Sequence, residues 1–138
     1  MATFTKFQDF SEQLCRAKHD FGSHVFKVAL TNTAPVATDT GLANITQIAA
    51  GNGYTTGGSA STITISETGG TTTIGAADVV FTASGGSIGP LRYAVLYNDT
   101  ATSPADALIG YWDYGSSITI TDGNSLTVDL PANLLSVS

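Results

Sequence analysis

The sequence predicts an all-β domain, a β-sandwich or jelly-roll-like fold that carries one N-terminal α-helix. Apolar and polar residues alternate over most of the chain after residue 22, which is the period of a strand with one buried face. Turn residues interrupt this alternation roughly every 8–14 residues, a spacing typical of sandwiches. The chain has 138 residues, the length of one domain. We therefore predict a single domain over 1–138, with a helical arm at 1–21 and the sandwich at 22–138.

The predicted helix rests on one apolar stripe near the N-terminus. Its members are spaced three and four residues apart, as on one face of a helix: Phe7, Phe10, Leu14, Ala17 and Phe21. The stripe has two interpretations: it covers one end of the sheet in its own chain, or it contacts a second protein. Under the second interpretation, we expect Phe7, Phe10 and Leu14 to form a protein interface.

The strands are predicted from the alternation and from its Thr-rich positions, because branched side chains pack well on a pleated sheet. Strands are expected at 24–30, 62–67, 71–74, 78–83, 91–98, 108–114, 117–121 and 125–130. Residues 32–61 lack strong periodicity, and we expect a long loop there with a short strand near 45–48. Thr68-Gly69-Gly70 and Asp122-Gly123-Asn124 each predict a hairpin, since Gly and Asp tolerate the positive φ of tight turns.

Charge and hydropathy argue against several classes of function. From residue 28 onward, Arg92 is the one basic residue beside eight acidic ones, and such a surface repels a phosphate backbone, so we predict no nucleic-acid partner. No apolar run approaches the roughly 18 residues of a membrane span, so we predict no membrane partner. The first ten residues, MATFTKFQDF, lack the basic and apolar regions of a signal peptide, and we expect assembly in the cytoplasm.

Residues with catalytic or metal-binding chemistry are few. The sequence has two histidines and one cysteine, and the GxSxG, HExxH and Walker A patterns are absent. A Ser–His–Asp arrangement stays open, but we predict no enzyme, no cofactor and no metal site. We expect His19 to be a solvated helix residue and His24 to face a strand neighbour. Cys15 is expected to be a small buried hydrophobe.

The segment Tyr111–Tyr114 concentrates aromatic residues. Tyr111, Trp112 and Tyr114 are typical of a sandwich core or of a subunit interface. Aromatic residues beside Asp and Asn also build sugar-binding sheets. We prefer the core or interface interpretation and keep glycan binding by these three residues as the alternative.

Four stretches of the chain resemble a family of small virion proteins from tailed phages and prophages: FGSHVFKVALTNTAP, LANITQIAAGNGY, GPLRYAVLYNDT and LIGYWDYGSSITITDGNSLTVDL. The resemblance runs from about residue 20 to the C-terminus. It implies a place in the virion, as a decoration (cement) subunit on the outer capsid surface that binds the major capsid protein and stabilises the head. Subunits that cluster on symmetry axes are homo-oligomers, and we expect a trimer. The resemblance assigns no functional residue, because the shared positions are core and turn residues.

Two other virion roles fit the same features. A receptor- or glycan-binding fibre or spike module would use the aromatic residues of 111–114. A tail-tube or head–tail connector subunit would assemble in a ring instead of on a lattice. Glycan binding distinguishes the first of these roles, and the location of the chain in the particle distinguishes the second.

Overall fold

The computed structural model describes residues 3–138, and 49% of the chain is in strands with 7% helical. The described elements, in chain order, are β1 (Thr3–Lys6), α1 (Asp9–Cys15), β2 (Phe26–Thr31), a 3₁₀ turn (Leu42–Asn44), β3 (Ser59–Ser61), β4 (Ile63–Thr68), β5 (Thr71–Ala76), β6 (Val79–Thr82), β7 (Ile88–Asn98), β8 (Leu108–Ile120), β9 (Ser125–Val128) and β10 (Leu135–Val137). The predicted class, all-β with one helix, is confirmed.

The strands form three antiparallel sheets. A five-stranded sheet has the order β1-β8-β7-β2-β3, a three-stranded sheet has the order β10-β5-β4, and β6 pairs with β9. One face of the five-stranded sheet packs against both smaller sheets, and we call the apolar cluster between them the first core. Apolar residues of β2, β5, β6, β7 and β9 meet there, which gives the sandwich-like arrangement.

The opposite face of the five-stranded sheet is also covered. A smaller second core, formed by Phe7, Ala29, Ile45, Val95, Tyr97 and Leu108, lies on that side. The central strand β7 is therefore buried on both faces, which explains why both of its alternating residue sets are apolar.

One of the two predicted hairpins is confirmed. β4 and β5 pair with Thr68 opposite Thr71, so a two-residue loop connects them. The loop residues Gly69 and Gly70 have φ of +61° and +88°, as in a type I′ turn, one of the two turn types common in hairpins of this length.

The other predicted hairpin is wrong, because its two strands belong to different sheets. β8 continues through the predicted break at 115–116 and pairs with β1 and β7, while β9 pairs with β6. The Asp122–Asn124 turn reverses the chain, but its backbone forms hydrogen bonds with the backbone of Ala83, directly after β6. Turn chemistry determines that the chain reverses, whereas burial of Val128 opposite Val79 determines the pairing partner.

The predicted helical arm at 1–21 is also wrong in its extent. Met1 and Ala2 lie outside the described residues, Thr3–Lys6 forms a strand on β8, and the helix covers Asp9–Cys15 alone. Ala17 has φ of +61°, so the chain leaves the helix long before residue 21. The open edge of β8 provides hydrogen-bond partners to the N-terminal backbone, which outweighs a local helical periodicity.

Within the predicted loop 32–61, the expected strand near 45–48 is wrong. The 3₁₀ turn is followed by a single bridge between Gln47 and Thr31. The sequence reading missed β1, β3 and β10, which have three or four residues each, too few for an alternation to be recognised.

Candidate functional site

The predicted interface residues of the N-terminal stripe are core residues. Phe7 is 0% exposed in the second core, where its ring lies 5.3 Å from that of Tyr111. Phe10 is 4% exposed in the first core. The prediction of a docking role is therefore wrong for these two residues, because their side chains are already inside their own chain. Leu14 is half-buried against the first core, and its docking role stays a prediction.

The aromatic residues of 111–114 do not form one surface. Trp112 is buried in the first core, with its ring 4.7 Å from that of Phe4 on the neighbouring strand. Tyr111 packs against the second core and Tyr114 against the first, so they lie on opposite faces of β8. Burial also raises the pKa of Tyr114. A sugar needs an exposed aromatic face, so the glycan alternative is wrong for Trp112. Tyr111 and Tyr114 cannot form one binding surface either, because they lie on opposite faces of the strand.

An exposed apolar surface lies instead on the three-stranded sheet. Ile65, Ile74 and Leu135 are in register across its three strands, on the face that turns towards the first core. Ile74 is buried in that core, but Ile65 is 51% exposed and Val137, two residues beyond Leu135, is 49% exposed. The sheet therefore extends past the core that it covers. We call this part, Ile65–Thr71 with Ser136 and Val137, the overhang.

The overhang ends in an open strand edge. Among the residues that the structure describes, β4 pairs with β5 and with no other strand. Its sequence, ITISET, contains neither Lys nor Pro, the residues that commonly protect an edge from pairing with another chain. Its one charged side chain, Glu67, accepts the backbone N–H of Gly70 at 2.7 Å and so remains within its own hairpin. Such an edge favours addition of a strand from another protein.

A second polar site joins the segment after α1 to the end of β7. Asn98 is fully buried, and its side-chain nitrogen lies 3.1 Å from Nδ1 of His19 and 2.9 Å from Nδ1 of His24. The same nitrogen donates to the carbonyl of Lys18 at 3.3 Å. Three groups of one segment therefore meet at one amide nitrogen.

Unambiguous backbone donors define the orientation of this cluster. Oδ1 of Asn98 accepts the backbone N–H groups of Thr100 (2.9 Å) and Ala101 (3.2 Å), so the amide nitrogen must face the two rings. Nδ1 of His24 also accepts the backbone N–H of Asp20 at 3.2 Å. Because Nδ1 of His19 faces the amide donor of Asn98, the neutral ring of His19 accepts there and carries its own hydrogen on Nε2.

His19 is not the solvated helix residue that the sequence suggested. It is 7% exposed, and its ring lies 5.2 Å from that of Phe10, 6.1 Å from that of Phe21 and 6.4 Å from that of Phe26. Its Nε2 is buried without a hydrogen-bond partner among the described residues. Burial lowers the pKa of His19 to about 4. The expectation that His24 faces a strand residue is confirmed by its contact with Asn98.

A serine, a histidine and an aspartate also lie together in this segment, but not in a catalytic order. The hydroxyl of Ser23 donates to the carboxylate of Asp20 at 2.6 Å, while His24 accepts the Asp20 backbone. A nucleophilic serine needs to donate to the ring nitrogen that removes its proton. The arrangement is a turn, with Asp20 also accepting the N–H of Gly22.

The remaining site expectations concern metals, membranes and Cys15. Residues 3–138 contain no group of three or more His, Cys, Asp or Glu side chains that could hold a metal ion. None of the helices in that range is long and apolar enough to cross a bilayer. Cys15 is exposed, so the expectation of a buried hydrophobe is wrong. Comparisons with family models, with curated proteins and with solved structures found no match to this chain.

Sequence reasoning missed both sites described above. The alternation of Ile63 and Ile65 with Thr and Ser signalled a strand, but the exposure of Ile65 depends on where the first core ends. The cluster of His19, His24 and Asn98 joins residues up to 79 positions apart, and no local pattern connects them.

Proposed function

We propose that this protein is a non-enzymatic structural subunit of a tailed-phage particle, bound to the outside of the capsid as a decoration subunit. The observation that carries the proposal is the overhang, where the half-exposed side chains of Ile65 and Val137 lie on a sheet whose outer strand β4 contains neither Lys nor Pro. The four stretches that resemble small phage virion proteins support the setting, and the major capsid protein is the expected partner.

The overhang has the two components that protein binding requires. Free backbone groups along β4 provide hydrogen bonds to an added strand. Ile65 and Val137 provide apolar area, and because each is about half exposed, burying one of them stabilises a contact by roughly half of the 1.5–3 kcal/mol of a fully exposed side chain. A decoration subunit needs modest affinity at each contact, because contacts with several capsid subunits add to its total binding.

The same sheet supports self-association. β4 and β10 are its two outer strands, and each pairs with β5 alone among the described residues. With the β4 edge against the capsid protein, the β10 edge is left for contact with the next copy, and contacts between two different surfaces close into rings when the rotation fits. A trimer on the capsid surface is the assembly that we propose.

The test compares two charge substitutions at exposed apolar positions. Ile65→Glu introduces a charge into the overhang, and Val36→Glu introduces the same charge at a side chain that is 57% exposed in a loop. We expect both variants to fold as the parent does. Ile65→Glu should reduce binding to undecorated capsids at least tenfold, because a carboxylate would be buried without a partner. Val36→Glu should bind as the parent does.

Co-sedimentation with capsids of the phage that encodes the chain measures both affinities. Undiminished binding by Ile65→Glu would contradict the overhang as the contact surface. No binding of the parent protein to these capsids would contradict the decoration role itself.

A ring-forming subunit of the tail tube or of the head–tail connector is the second candidate. The two open edges of the three-stranded sheet favour it, because a closed ring would pair both of them. The location of the chain in electron micrographs of the particle distinguishes it from the decoration role.

A further inference from the structure

The segment Arg16–His24 connects α1 to the start of β2, and we call it the latch segment. We propose that His19, His24 and Asn98 form an acid-sensitive latch. It holds the latch segment on the end of β7 while the imidazole of His19 is neutral, and it releases the segment when His19 is protonated. This inference does not depend on the role of the protein in a virion.

The closed latch depends on one side-chain nitrogen. Nδ2 of Asn98 faces the carbonyl of Lys18 and both histidine Nδ1 atoms, all within 3.3 Å. Backbone N–H groups of Thr100 and Ala101 hold the other end of the amide. If the Asn98 amide rotated to present its oxygen to the rings, its nitrogen would face the backbone N–H groups of Thr100 and Ala101, which are also donors, and both of these hydrogen bonds to the side chain would be lost.

Protonation converts these contacts from attractive to repulsive. An imidazolium carries a hydrogen on both ring nitrogens. In His19, the new hydrogen on Nδ1 would face the amide nitrogen of Asn98, which is itself a donor. Protonation of His19 therefore removes a hydrogen bond that connects the latch segment to the fold.

The surroundings of His19 also oppose a positive charge. Rings of α1, of the latch segment and of β2 enclose it, and water does not reach its Nε2. Burial has the largest effect on the pKa of His19 and lowers it, the nearby His24 lowers it further, and Asp9 of α1 raises it. Asn98 presents a neutral group from β7, and Lys27 of β2 is paired with Asp99 at 3.1 Å.

Release of the latch would uncover part of the first core. Phe21 belongs to the latch segment and stacks on Phe26 with ring centroids 4.8 Å apart. Phe10 contacts both His19 and Phe21. Movement of the segment therefore exposes apolar rings at one end of the sandwich while the strands of the five-stranded sheet stay paired.

Hydrogen exchange at pH 7.5 and pH 5.0 tests the latch in the full-length protein. After correction for intrinsic exchange rates, we expect the protection of the amides of Asp20 and His24 to fall about tenfold or more at pH 5.0. The paired amides of β7 and β8 should keep their protection. Equal protection of Asp20 and His24 at the two pH values would overturn the proposal.

Two substitutions determine whether the histidines and Asn98 cause the effect. Asn98→Asp replaces the amide nitrogen by a carboxylate oxygen, which attracts a protonated His19, so protection of the latch segment should be higher at pH 5.0 than at pH 7.5. His19→Phe keeps an aromatic ring in the apolar pocket but cannot be protonated, and it should lose most of the pH dependence. If protection in either variant falls with pH as it does in the parent, the assignment of the latch to His19 and Asn98 is overturned. His19→Phe alone tests the assignment if Asn98→Asp does not fold.

Discussion

Phe7 and Phe10, three positions apart, lie on opposite sides of the five-stranded sheet. The backbone between them passes from the edge of β8 into α1, so each ring enters a different core. A spacing of three is typical of one helical face, but it also arises where a strand ends and a helix begins. The residue pattern therefore predicted that both rings make apolar contacts, but it could not decide between contacts within the chain and contacts with a second protein.

We expect Phe7→Ala to lower the free energy of unfolding by about 3–5 kcal/mol, because it leaves a cavity in the second core. The matched control Val36→Ala removes an exposed side chain and should change stability by less than about 0.5 kcal/mol. Urea unfolding measures both. If Phe7→Ala is as stable as the parent, the ring is not a core residue.

Gly58 illustrates a close approach of backbones at the residue scale. It has φ of +77°, and a Cβ there would overlap the carbonyl oxygen of Val28 on β2. Gly123 has φ of +85°, but a Cβ there meets no atom within 4 Å. A side chain at either position would strain the backbone because φ is positive. At Gly58 it would also clash with the backbone of Val28, whereas at Gly123 it would meet no atom.

Gly58→Ala should therefore be far more destabilising than Gly123→Ala, for which we expect about 1–2 kcal/mol of strain. Thermal unfolding of the two variants measures the difference. Similar melting temperatures would show that β3 does not approach β2 as closely as described.

At the scale of elements, two turns with similar glycine-containing sequences connect their strands in different ways. Thr68-Gly69-Gly70 joins paired strands, while Asp122-Gly123-Asn124 joins strands of different sheets. The turn residues predict where the chain reverses, but pairing depends on which apolar face each strand buries. Long alternating strands such as β7 were predictable for that reason. β1, β3 and β10 were not, because each depends on an edge provided by distant residues.

The long connection between β2 and β3 is held by side chains instead of regular structure. The hydroxyl of buried Tyr54 accepts the backbone N–H of Leu30 at 3.1 Å and donates to Oε1 of Gln47 at 2.7 Å. The same Oε1 accepts the backbone N–H of Gly57. Such bonds lack a sequence period, which explains why residues 32–61 were predicted as a long loop with one short strand.

Tyr54→Phe should lower the free energy of unfolding by about 1–3 kcal/mol, because the buried N–H of Leu30 loses its acceptor. Chemical denaturation measures the loss, and the strand content by circular dichroism should stay unchanged. A variant as stable as the parent would contradict the described hydrogen bond.

At the scale of the whole molecule, the pH dependence of stability follows from His19. The pKa of its side chain is about 4 in the folded state, against 6.5 ordinarily, so the unfolded chain binds a proton at a higher pH than the folded one. Stability is therefore complete above pH 6.5 and decreases as the pH falls towards 4, by up to about 3 kcal/mol. Urea unfolding across this range measures the decrease, and His19→Phe should remove most of it.

The carboxylates act in a different range. A hydrogen bond from Ser23 lowers the pKa of Asp20, and one from Arg92 lowers that of Asp113, both from an ordinary 3.8. Their stabilisation is present above that value and is lost as the pH falls below it. A decrease confined to pH values below 4 would thus implicate these carboxylates and contradict the role of His19.

The sandwich, the overhang and the latch occupy different parts of the molecule. Composition and alternation predicted the sandwich, because both reflect average burial along strands. The overhang depends on where the first core ends, and the latch depends on which distant residues meet, so neither could be predicted without the folded structure.

Image reconstruction of the mature particle tests the proposed function most directly. We predict density for this sandwich on the outer surface of the capsid, with the three-stranded sheet and its β4 edge against the major capsid protein. Absence of the chain from the capsid surface, or attachment through a face remote from the overhang, would contradict the account.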